Sequence, residues 1–131
     1  MPPREGIRIL AVEDNPDTLK LLRYMLEPHY AVAFATTVDE AADIARQQPF
    51  DLFLLDINLG EQRTGTDLLH LLRAQPAHHQ TPALALTAYA MPGDRERFEH
   101  DGFDGYVSKP FTRRELVQAI DAISRDSASA S

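Results

Sequence analysis

The feature that most constrains the fold of this chain is a regular alternation between short apolar runs and longer stretches with helical spacing. Five such runs occur, over residues 7–12, 31–34, 52–55, 83–86 and 105–107. Several of them are apolar at consecutive positions, as is typical of parallel strands that are covered by helices on both faces. The pattern predicts five parallel β-strands. The run 52–55 is the most continuously apolar and is predicted to be the central strand.

The segments between these runs carry helix start signals. Asn15-Pro16 predicts the N-cap and first residue of one helix, and apolar side chains recur at helical spacing after it. Residues 37–40 and 112–115 each match the capping-box pattern. Two further helices are predicted over 66–74 and 92–100, the second unusually polar. A strand–helix unit that occurs five times predicts a doubly wound α/β sheet, because an eight-stranded barrel would need more units.

Length and composition limit the class of protein. The 131 residues are 44% hydrophobic and 25% charged, which suits one globular domain with a single core. The formal net charge of −7 argues against direct binding of nucleic acid or of anionic membranes. There is no cysteine, no apolar run of membrane-spanning length and no signal-peptide core. We expect a cytoplasmic domain over 7–124, with a flexible N-terminus at 1–6 and a flexible Ser/Ala-rich tail at 125–131.

Polar side chains follow four of the predicted strands. Glu13 and Asp14 follow the first strand, Asp56 the third, Thr87 the fourth and Lys109 the fifth. In an open parallel sheet the carboxyl ends of the strands share one edge, where ligands bind. Three carboxylates at that edge would repel one another unless a cation neutralised them, and their hard oxygen atoms suit Mg²⁺. The sequence therefore predicts a magnesium site.

The same residues predict phosphoryl chemistry. A carboxylate beside Mg²⁺ can attack a phosphoryl group and form an aspartyl phosphate, and Asp56 is the best placed because it ends the predicted central strand. Glu13 and Asp14 would then hold the metal. Thr87 would donate a hydrogen bond to the phosphoryl oxygens and Lys109 would pair with their charge.

Four segments, in their order and spacing, resemble the receiver domains of two-component response regulators: 9–15, 51–56, 86–88 and 105–111. The likeness covers about residues 7–124. It implies a flavodoxin-like fold with strand order 2-1-3-4-5, as in the chemotaxis receiver. It also implies the role of each site residue: Glu13 and Asp14 as the acidic metal pair, Asp56 as the phospho-acceptor, Asn58 as a metal ligand through its backbone carbonyl, Thr87 and Tyr106 as the switch pair, and Lys109 as the lysine of the site.

The resemblance further implies a signalling protein rather than an enzyme, one that catalyses only its own phosphorylation and slow autodephosphorylation. The phosphoryl group would come from a histidine kinase or a phosphotransfer protein in a phosphorelay. The output would pass through the fourth helix, fifth strand and fifth helix to another protein or to a second copy. Direct action on DNA is not expected, because only a short tail follows the last helix. The Lys109–Pro110 peptide bond is expected to be cis.

One stretch departs from the family pattern. Many receivers have proline four residues after the acceptor and glycine eight residues after it, whereas this chain has Gly60 and Thr64 there, with Gly65 one place later. We therefore predict that the loop 59–65, which borders the site, is one residue longer than usual.

Three rival functions share parts of this pattern. A pseudo-receiver that only binds proteins is the main alternative, although an intact acceptor, acidic pair, threonine and lysine argue against it. A flavin or nucleotide carrier would need a glycine-rich loop after the first strand, which is lacking. An aspartyl-phosphate hydrolase would carry D-x-D there, and Asp14 to Asp17 lacks that spacing. His78 and His79 are predicted to be exposed histidines rather than a metal site, because no third ligand lies nearby.

Overall fold

The computed structural model describes residues 7–88 and 93–130, in which five strands alternate with five α-helices. The strands are β1 (Arg8–Val12), β2 (Ala31–Ala35), β3 (Leu52–Asp56), β4 (Ala83–Thr87) and β5 (Gly105–Ser108). The helices are α1 (Pro16–Leu26), α2 (Val38–Gln47), α3 (Gly65–Arg73), α4 (Asp94–Asp101) and α5 (Arg113–Ala130), and a 3₁₀ turn at Pro76–His78 precedes β4. The predicted flexible N-terminus and the predicted start of the fourth helix at residue 92 lie outside the described residues.

The five strands form one parallel sheet in the order β2-β1-β3-β4-β5. This order confirms the doubly wound fold and the central place of β3. The register pairs Val12 with Leu55, Asp56 with Leu86 and Thr87 with Ser108. Since all strands point the same way, the residues that end β1, β3, β4 and β5 meet at one edge of the sheet.

The core lies in two layers, one on each face of the sheet. β3 and β4 are buried at every position. Successive side chains of β3 point to opposite faces, so Phe53 and Leu55 pack under α2, α3 and α4, whereas Leu52 and Leu54 pack under α1 and α5. Burial on both faces explains why these strands are apolar at consecutive positions.

Hydrogen bonds at the helix starts confirm two of the predicted caps. The Asn15 side chain accepts a hydrogen bond from the backbone N–H of Asp17 at 2.9 Å, and a proline follows it as the first helical residue. At the start of α5, Thr112 and Glu115 each accept a hydrogen bond from the other's backbone N–H, both at 3.1 Å. This is the reciprocal capping box that the sequence predicts.

The capping box predicted at residues 37–40 is only partly formed. Thr37 accepts a hydrogen bond from the N–H of Glu40 at 3.1 Å, but the Glu40 carboxylate accepts from the N–H of Thr36 rather than of Thr37. A complete box that the sequence analysis missed starts α3, where Thr64 and Asp67 cap each other. Its acidic member is aspartate, which the usual pattern with glutamate or glutamine does not include.

Helix α5 continues to Ala130, so the predicted domain end at residue 124 falls inside the helix rather than at its end. The backbone of 125–130 is helical, and the predicted flexibility of this segment stays a prediction. Adding a residue to an existing helix is far easier than starting one, and alanine is the strongest helix former. No helix in the described part of the chain is long and apolar enough to cross a membrane.

The prediction that both neighbouring histidines are exposed is correct for His79 and wrong for His78. The His78 side chain is fully buried, with its ring centroid 5.1 Å from that of Phe53 and 6.3 Å from that of Phe50. Its Nε2 accepts a hydrogen bond from the backbone N–H of Phe50 at 3.2 Å. The 3₁₀ turn before β4 directs this ring into the core, and burial lowers the pKa of His78. Within the described ranges it belongs to no cluster of metal ligands.

Candidate functional site

A cleft of about 490 Å³ opens at the carboxyl edge of the sheet. It is lined by the five residues that the strand ends predict, namely Glu13, Asp14, Asp56, Thr87 and Lys109. They lie at the carboxyl ends of four strands that are far apart in the sequence. Their convergence follows from the parallel register.

The three carboxylates of the cleft lie close enough to share one cation. Glu13, Asp14 and Asp56 each offer an oxygen atom, and these atoms lie within 4.8 Å of one another. Glu13 is fully buried and Asp56 is 3% exposed, whereas Asp14 is exposed at the mouth of the cleft. A set of hard oxygen donors with one open side suits a divalent cation such as Mg²⁺, which keeps several water ligands. The cluster therefore fits a metal ion.

Lys109 joins two of these carboxylates. Its Nζ donates to Glu13 Oε2 and to Asp56 Oδ2, each at 3.1 Å. Its backbone N–H donates to the carbonyl oxygen of Thr87 at 2.8 Å. The Lys109–Pro110 bond is cis, as the family resemblance implies. One ammonium faces three carboxylates, so the ionised cluster carries an excess of negative charge.

The pKa values of the buried pair reflect that excess. Burial, and then the neighbouring Asp56, raise the pKa of Glu13 to about 7, although Lys109 acts in the opposite direction. Burial would lower the pKa of Lys109, but the charges and hydrogen bonds of Asp56 and Glu13 outweigh it and hold that pKa above its usual value. Lys109 is thus charged at neutral pH. A second positive charge in the cleft would favour the ionised form of Glu13.

Both oxygens of Asp56 have hydrogen-bond partners. Oδ2 accepts from Lys109, and Oδ1 accepts from the backbone N–H of Asn58 at 3.0 Å. Asn58 itself lines the cleft. The proposed role of its carbonyl oxygen as a metal ligand stays a prediction. These contacts hold the Asp56 carboxylate at the end of the most buried strand, where it faces the cleft.

Thr87 and Tyr106 lie on neighbouring strands but in different surroundings. Thr87 is 5% exposed and lines the main cleft at the end of β4. Tyr106 is half-buried, with its ring centroid 5.7 Å from that of Phe98. It lines a second cleft of about 310 Å³, which α4, β5 and α5 border. The switch role of both residues stays a prediction.

Two glycines shape the site, and the sequence analysis gave neither of them a role. A Cβ atom on Gly65, the first residue of α3, would lie 2.3 Å from the backbone oxygen of Asp56. A Cβ on Gly60 would lie 2.4 Å from Asp14 Oδ2. The sequence signal for both glycines was the departure of this loop from the family pattern, because the loop that contains them follows the acceptor Asp56. The atoms that each glycine approaches, the backbone of Asp56 for Gly65 and the carboxylate of Asp14 for Gly60, depend on the folded loop.

Comparison with known proteins shows the family. The model of the response regulator receiver domain matches residues 9–121, so the chain belongs to the response regulator receiver domain family. Its sequence is 36% identical over 112 residues to the signal transduction histidine-protein kinase BarA of Escherichia coli, covering 85% of this chain and 12% of BarA. It is 34% identical to the polar-differentiation response regulator DivK of Brucella ovis, covering 86% of this chain and 91% of DivK. The chain thus spans about an eighth of that kinase but most of DivK.

Solved structures agree with this assignment. The receiver domain of the sensor histidine kinase PA1611 from Pseudomonas aeruginosa is 35% identical, with a TM-score of 0.79, and 89% of this chain and 96% of that one are covered. That domain has a magnesium ion coordinated in its active-site cleft. The chemotaxis protein CheY4 of Vibrio cholerae has a TM-score of 0.82 at 26% identity, with 88% and 97% covered. The chain is therefore a receiver domain of two-component signalling with a CheY-like fold.

Proposed function

We propose that this receiver domain accepts a phosphoryl group on Asp56, with Mg²⁺ bound beside it, from a histidine kinase or a phosphotransfer protein in the cytoplasm. The observation that carries the proposal is the cluster of three carboxylates within 4.8 Å, two of them joined by Lys109. The arrangement is costly for a fold, because like charges this close oppose folding. Such a cluster is typical of a site that has a chemical task.

Glu13, Asp14 and Asp56 would hold the Mg²⁺, together with the backbone carbonyl of Asn58. When bound, the ion would supply positive charge that offsets the carboxylates and the incoming phosphoryl oxygens. The magnesium ion in the PA1611 receiver domain supports this proposal. Burial, and then the neighbouring Asp56, raise the pKa of Glu13, and a bound cation would favour its ionised form.

In the proposed reaction an oxygen of Asp56 attacks the phosphorus atom of a phosphohistidine. The phosphorus–nitrogen bond breaks, the histidine nitrogen leaves with its electron pair, and an acyl phosphate forms. Asp56 is ready to attack because Asn58 and Lys109 fix the orientation of its carboxylate. The Lys109 ammonium would then pair with a phosphoryl oxygen, and the hydroxyl of Thr87 would donate to another.

The output would pass through α4, β5 and α5. Thr87 ends β4, whose Ala85 pairs with Tyr106 in β5. A Thr87 hydroxyl that moves toward the phosphoryl group would open space into which Tyr106 turns, which would change the surface that it shares with Phe98. The partner would be a downstream protein or a second copy of this chain. We propose no catalysis beyond self-phosphorylation and slow autodephosphorylation.

The phosphorylation step is tested by intact-mass measurement after incubation with acetyl phosphate and Mg²⁺. The wild type should gain one phosphoryl group, and the gain should disappear when Mg²⁺ is chelated. Asp56→Asn should gain none, because the amide of asparagine cannot act as the nucleophile that the proposal assigns to the Asp56 carboxylate. A phosphoryl group that persists in the variant would exclude Asp56 as the acceptor. A wild type that gains none would favour the pseudo-receiver.

The switch is tested with beryllofluoride, which mimics the phosphoryl group on Asp56. Its addition with Mg²⁺ should shift amide resonances from Thr87 to Phe111, including those of Tyr106, and should change self-association or partner affinity. Tyr106→Leu keeps an apolar side chain but removes the hydroxyl, and it should retain the shifts next to Asp56. Shifts confined to the metal site in the wild type would contradict the proposed output surface.

A further inference from the structure

Gly60 packs directly against a metal-site carboxylate. A Cβ atom on Gly60 would lie 2.4 Å from Oδ2 of Asp14 and 3.6 Å from its Cγ, and the φ angle of Gly60 is +69°. Cβ atoms in proteins essentially never lie so close to another atom, and residues that carry a side chain rarely adopt that backbone conformation. Any other residue at position 60 would therefore displace the Asp14 carboxylate or the loop that carries Gly60.

This contact matters because little else restrains Asp14. Glu13 and Asp56 both accept hydrogen bonds from Lys109. Asp14 is exposed, and in the described part of the chain its carboxylate takes part in no hydrogen bond or ion pair. Its orientation therefore depends on the space around it, and the lack of a side chain at Gly60 leaves room for the carboxylate in this position.

The loop that carries Gly60 is fixed on its inner side. Leu59 is 3% exposed and belongs to the core between the sheet and α2 and α3. The backbone N–H of Gly60 donates to Asn58 Oδ1 at 3.3 Å, and the N–H of Asn58 donates to Asp56 at 3.0 Å. Gly60 is thus connected through Asn58 to the acceptor carboxylate on one side and contacts Asp14 on the other.

The outer side of the loop is attached to the start of α2. Glu61 Oε2 accepts a hydrogen bond from the N–H of Val38, the first residue of α2, at 3.4 Å. Arg63 pairs with Asp39 at 3.0 Å and with Glu61 at 3.5 Å. The first N–H groups of a helix lack partners within the helix, so a carboxylate there is favourable. These contacts, which we name the Glu61–Arg63 clamp, hold the loop toward α2.

We propose that Gly60 is a positioning residue that orients Asp14 for Mg²⁺, with the Glu61–Arg63 clamp keeping Gly60 in place. This inference rests on the proposed metal-dependent function. Mg²⁺ demands near-octahedral geometry, whereas Ca²⁺ accepts more varied ligand positions. A displaced Asp14 should therefore weaken Mg²⁺ binding more than Ca²⁺ binding, so Gly60 determines metal selectivity as well as affinity.

The test compares metal binding by Gly60→Ala and the wild type with isothermal titration calorimetry. Gly60→Ala should bind Mg²⁺ about tenfold more weakly, the scale of loss typical of residues that support metal ligands. The loss for Ca²⁺ should be smaller. Gly93→Ala is the matched control, because Gly93 also has a positive φ, of +92°, but its Cβ would meet nothing within 4 Å. It should bind both metals as the wild type does.

A second pair of variants tests the clamp without changing a glycine. Arg63→Ala should weaken Mg²⁺ binding in the same direction as Gly60→Ala, by a smaller factor, because the loop loses the Arg63 ion pairs but keeps the hydrogen bond from Val38 to Glu61. Arg46→Ala removes an exposed ion pair with Asp43 on α2, away from the loop, and should leave Mg²⁺ binding unchanged. If Gly60→Ala does not fold, this pair decides the question, and an Arg63→Ala affinity equal to that of the wild type overturns the inference.

The results of these binding experiments distinguish a failure of the positioning role from a failure of the metal-dependent function on which it rests. If the wild type binds Mg²⁺ and Gly60→Ala binds it as tightly, or loses Mg²⁺ and Ca²⁺ affinity equally, the positioning role is wrong while phosphorylation of Asp56 stands. If the wild type binds no Mg²⁺, the metal-dependent function fails and the inference fails with it. Phosphorylation of Gly60→Ala that returns to the wild-type rate at saturating Mg²⁺ would support a role in positioning the metal ligand.

Discussion

Lys109 is the residue on which the charge balance of the site depends. Its ammonium lies 3.1 Å from a carboxylate oxygen of Glu13 and of Asp56, both buried. A buried ion pair seldom adds net stability, because removing the charges from water costs about as much as their attraction returns. Asp14 adds a third carboxylate that has no cationic partner among the described residues. The site is therefore arranged for a positively charged ligand at the expense of the stability of the metal-free fold.

His78 predicts a pH dependence of stability that is independent of the site. Burial lowers the pKa of His78 from its usual 6.5. As the pH falls below about 6.5, the unfolded chain takes up a proton that the folded chain binds less readily, so His78 reduces stability there. The slope from one such group is at most about 1.4 kcal/mol per pH unit. His78→Gln keeps an acceptor for the N–H of Phe50, and in this variant the pH-dependent contribution of His78 should vanish. Urea unfolding from about pH 5 to about pH 8 would measure it, because this range extends at least roughly one unit to either side of the usual histidine pKa.

The pH dependence of stability needs a matched control variant, because Glu13 changes its protonation in the same pH range as His78. Its raised pKa makes the folded state bind more protons between the usual value of 4.5 and about 7, which acts in the opposite direction. The difference between the wild type and His78→Gln removes this contribution. His79→Gln, a change at the exposed neighbour, should follow the wild type. Equal pH profiles for the wild type and His78→Gln would contradict the argument.

For single residues, the sequence predicts those positions in the site that the pairing of the strands determines. Glu13, Asp56, Thr87 and Lys109 follow strands, and parallel strands bring their ends together whatever the details of packing. The burial of His78 could not be predicted in the same way, because it depends on where a 3₁₀ turn meets the rings of Phe50 and Phe53. The same holds for the contact of Gly60 with Asp14, which depends on the path of a loop.

Helix α4 buries fewer side chains than α1, α2 or α3. Phe98 is its one buried residue, and Gly93, at its N-cap, supplies no side-chain cap. Its C-terminal end is held by Arg73 of α3, which donates to the carbonyl oxygen of Gly102 and, at 3.0 Å, to that of Thr81. Arg73 also pairs with Asp104 at 3.1 Å. Arg73 therefore connects the C-terminal end of α4 to α3 and to the segment before β4.

Replacing Arg73 tests that attachment. Arg73→Met keeps the apolar part of the side chain but leaves two backbone carbonyls without their donor, so the free energy of unfolding should fall by about 1–3 kcal/mol. Amide hydrogen exchange at 99–103 should also become faster. Arg95→Met breaks an exposed pair with Glu99 on α4 itself and should change stability little. A similar loss in both variants would mean that charge, rather than the attachment, stabilises α4.

Element boundaries were harder to predict than element types. The five strands and the amphipathic helices lie where the apolar spacing predicts them, because burial on one face or on both leaves a clear pattern in the sequence. The end of α5 was missed, since no glycine or proline marks it and alanine permits the helix to continue. The start of α3 was predicted near residue 66, one place from Gly65, from the helical spacing of Leu68, Leu71 and Leu72.

For the whole molecule, the parallel order of the sheet connects the site to the stability of the fold. The three carboxylates come from β3 and from the residues after β1, so they converge only when the neighbouring strands pair. An ion that needs all three will bind the folded chain and not the unfolded chain. Such a ligand stabilises the fold in proportion to its concentration and affinity.

Mg²⁺ should therefore raise the melting temperature. At a concentration of about 100 times its dissociation constant the expected gain is about 2.7 kcal/mol, which a thermal scan by circular dichroism would resolve. Asp14→Ala removes one ligand at the exposed side of the cleft and should lose most of the gain. Asp17→Ala, an exposed acidic residue in the first turn of α1, is the control and should keep it. An equal gain in the wild type and Asp14→Ala would place the metal elsewhere.

The central claim is that Asp56 carries the phosphoryl group, and borohydride trapping measures it in the unaltered protein. After incubation with acetyl phosphate and Mg²⁺, borohydride reduces an aspartyl phosphate to homoserine, which peptide sequencing by tandem mass spectrometry locates. We predict homoserine at position 56 and at no other carboxylate, and its loss when Mg²⁺ is chelated beforehand. Homoserine at Asp14 or at another carboxylate, or none at position 56, would contradict the account.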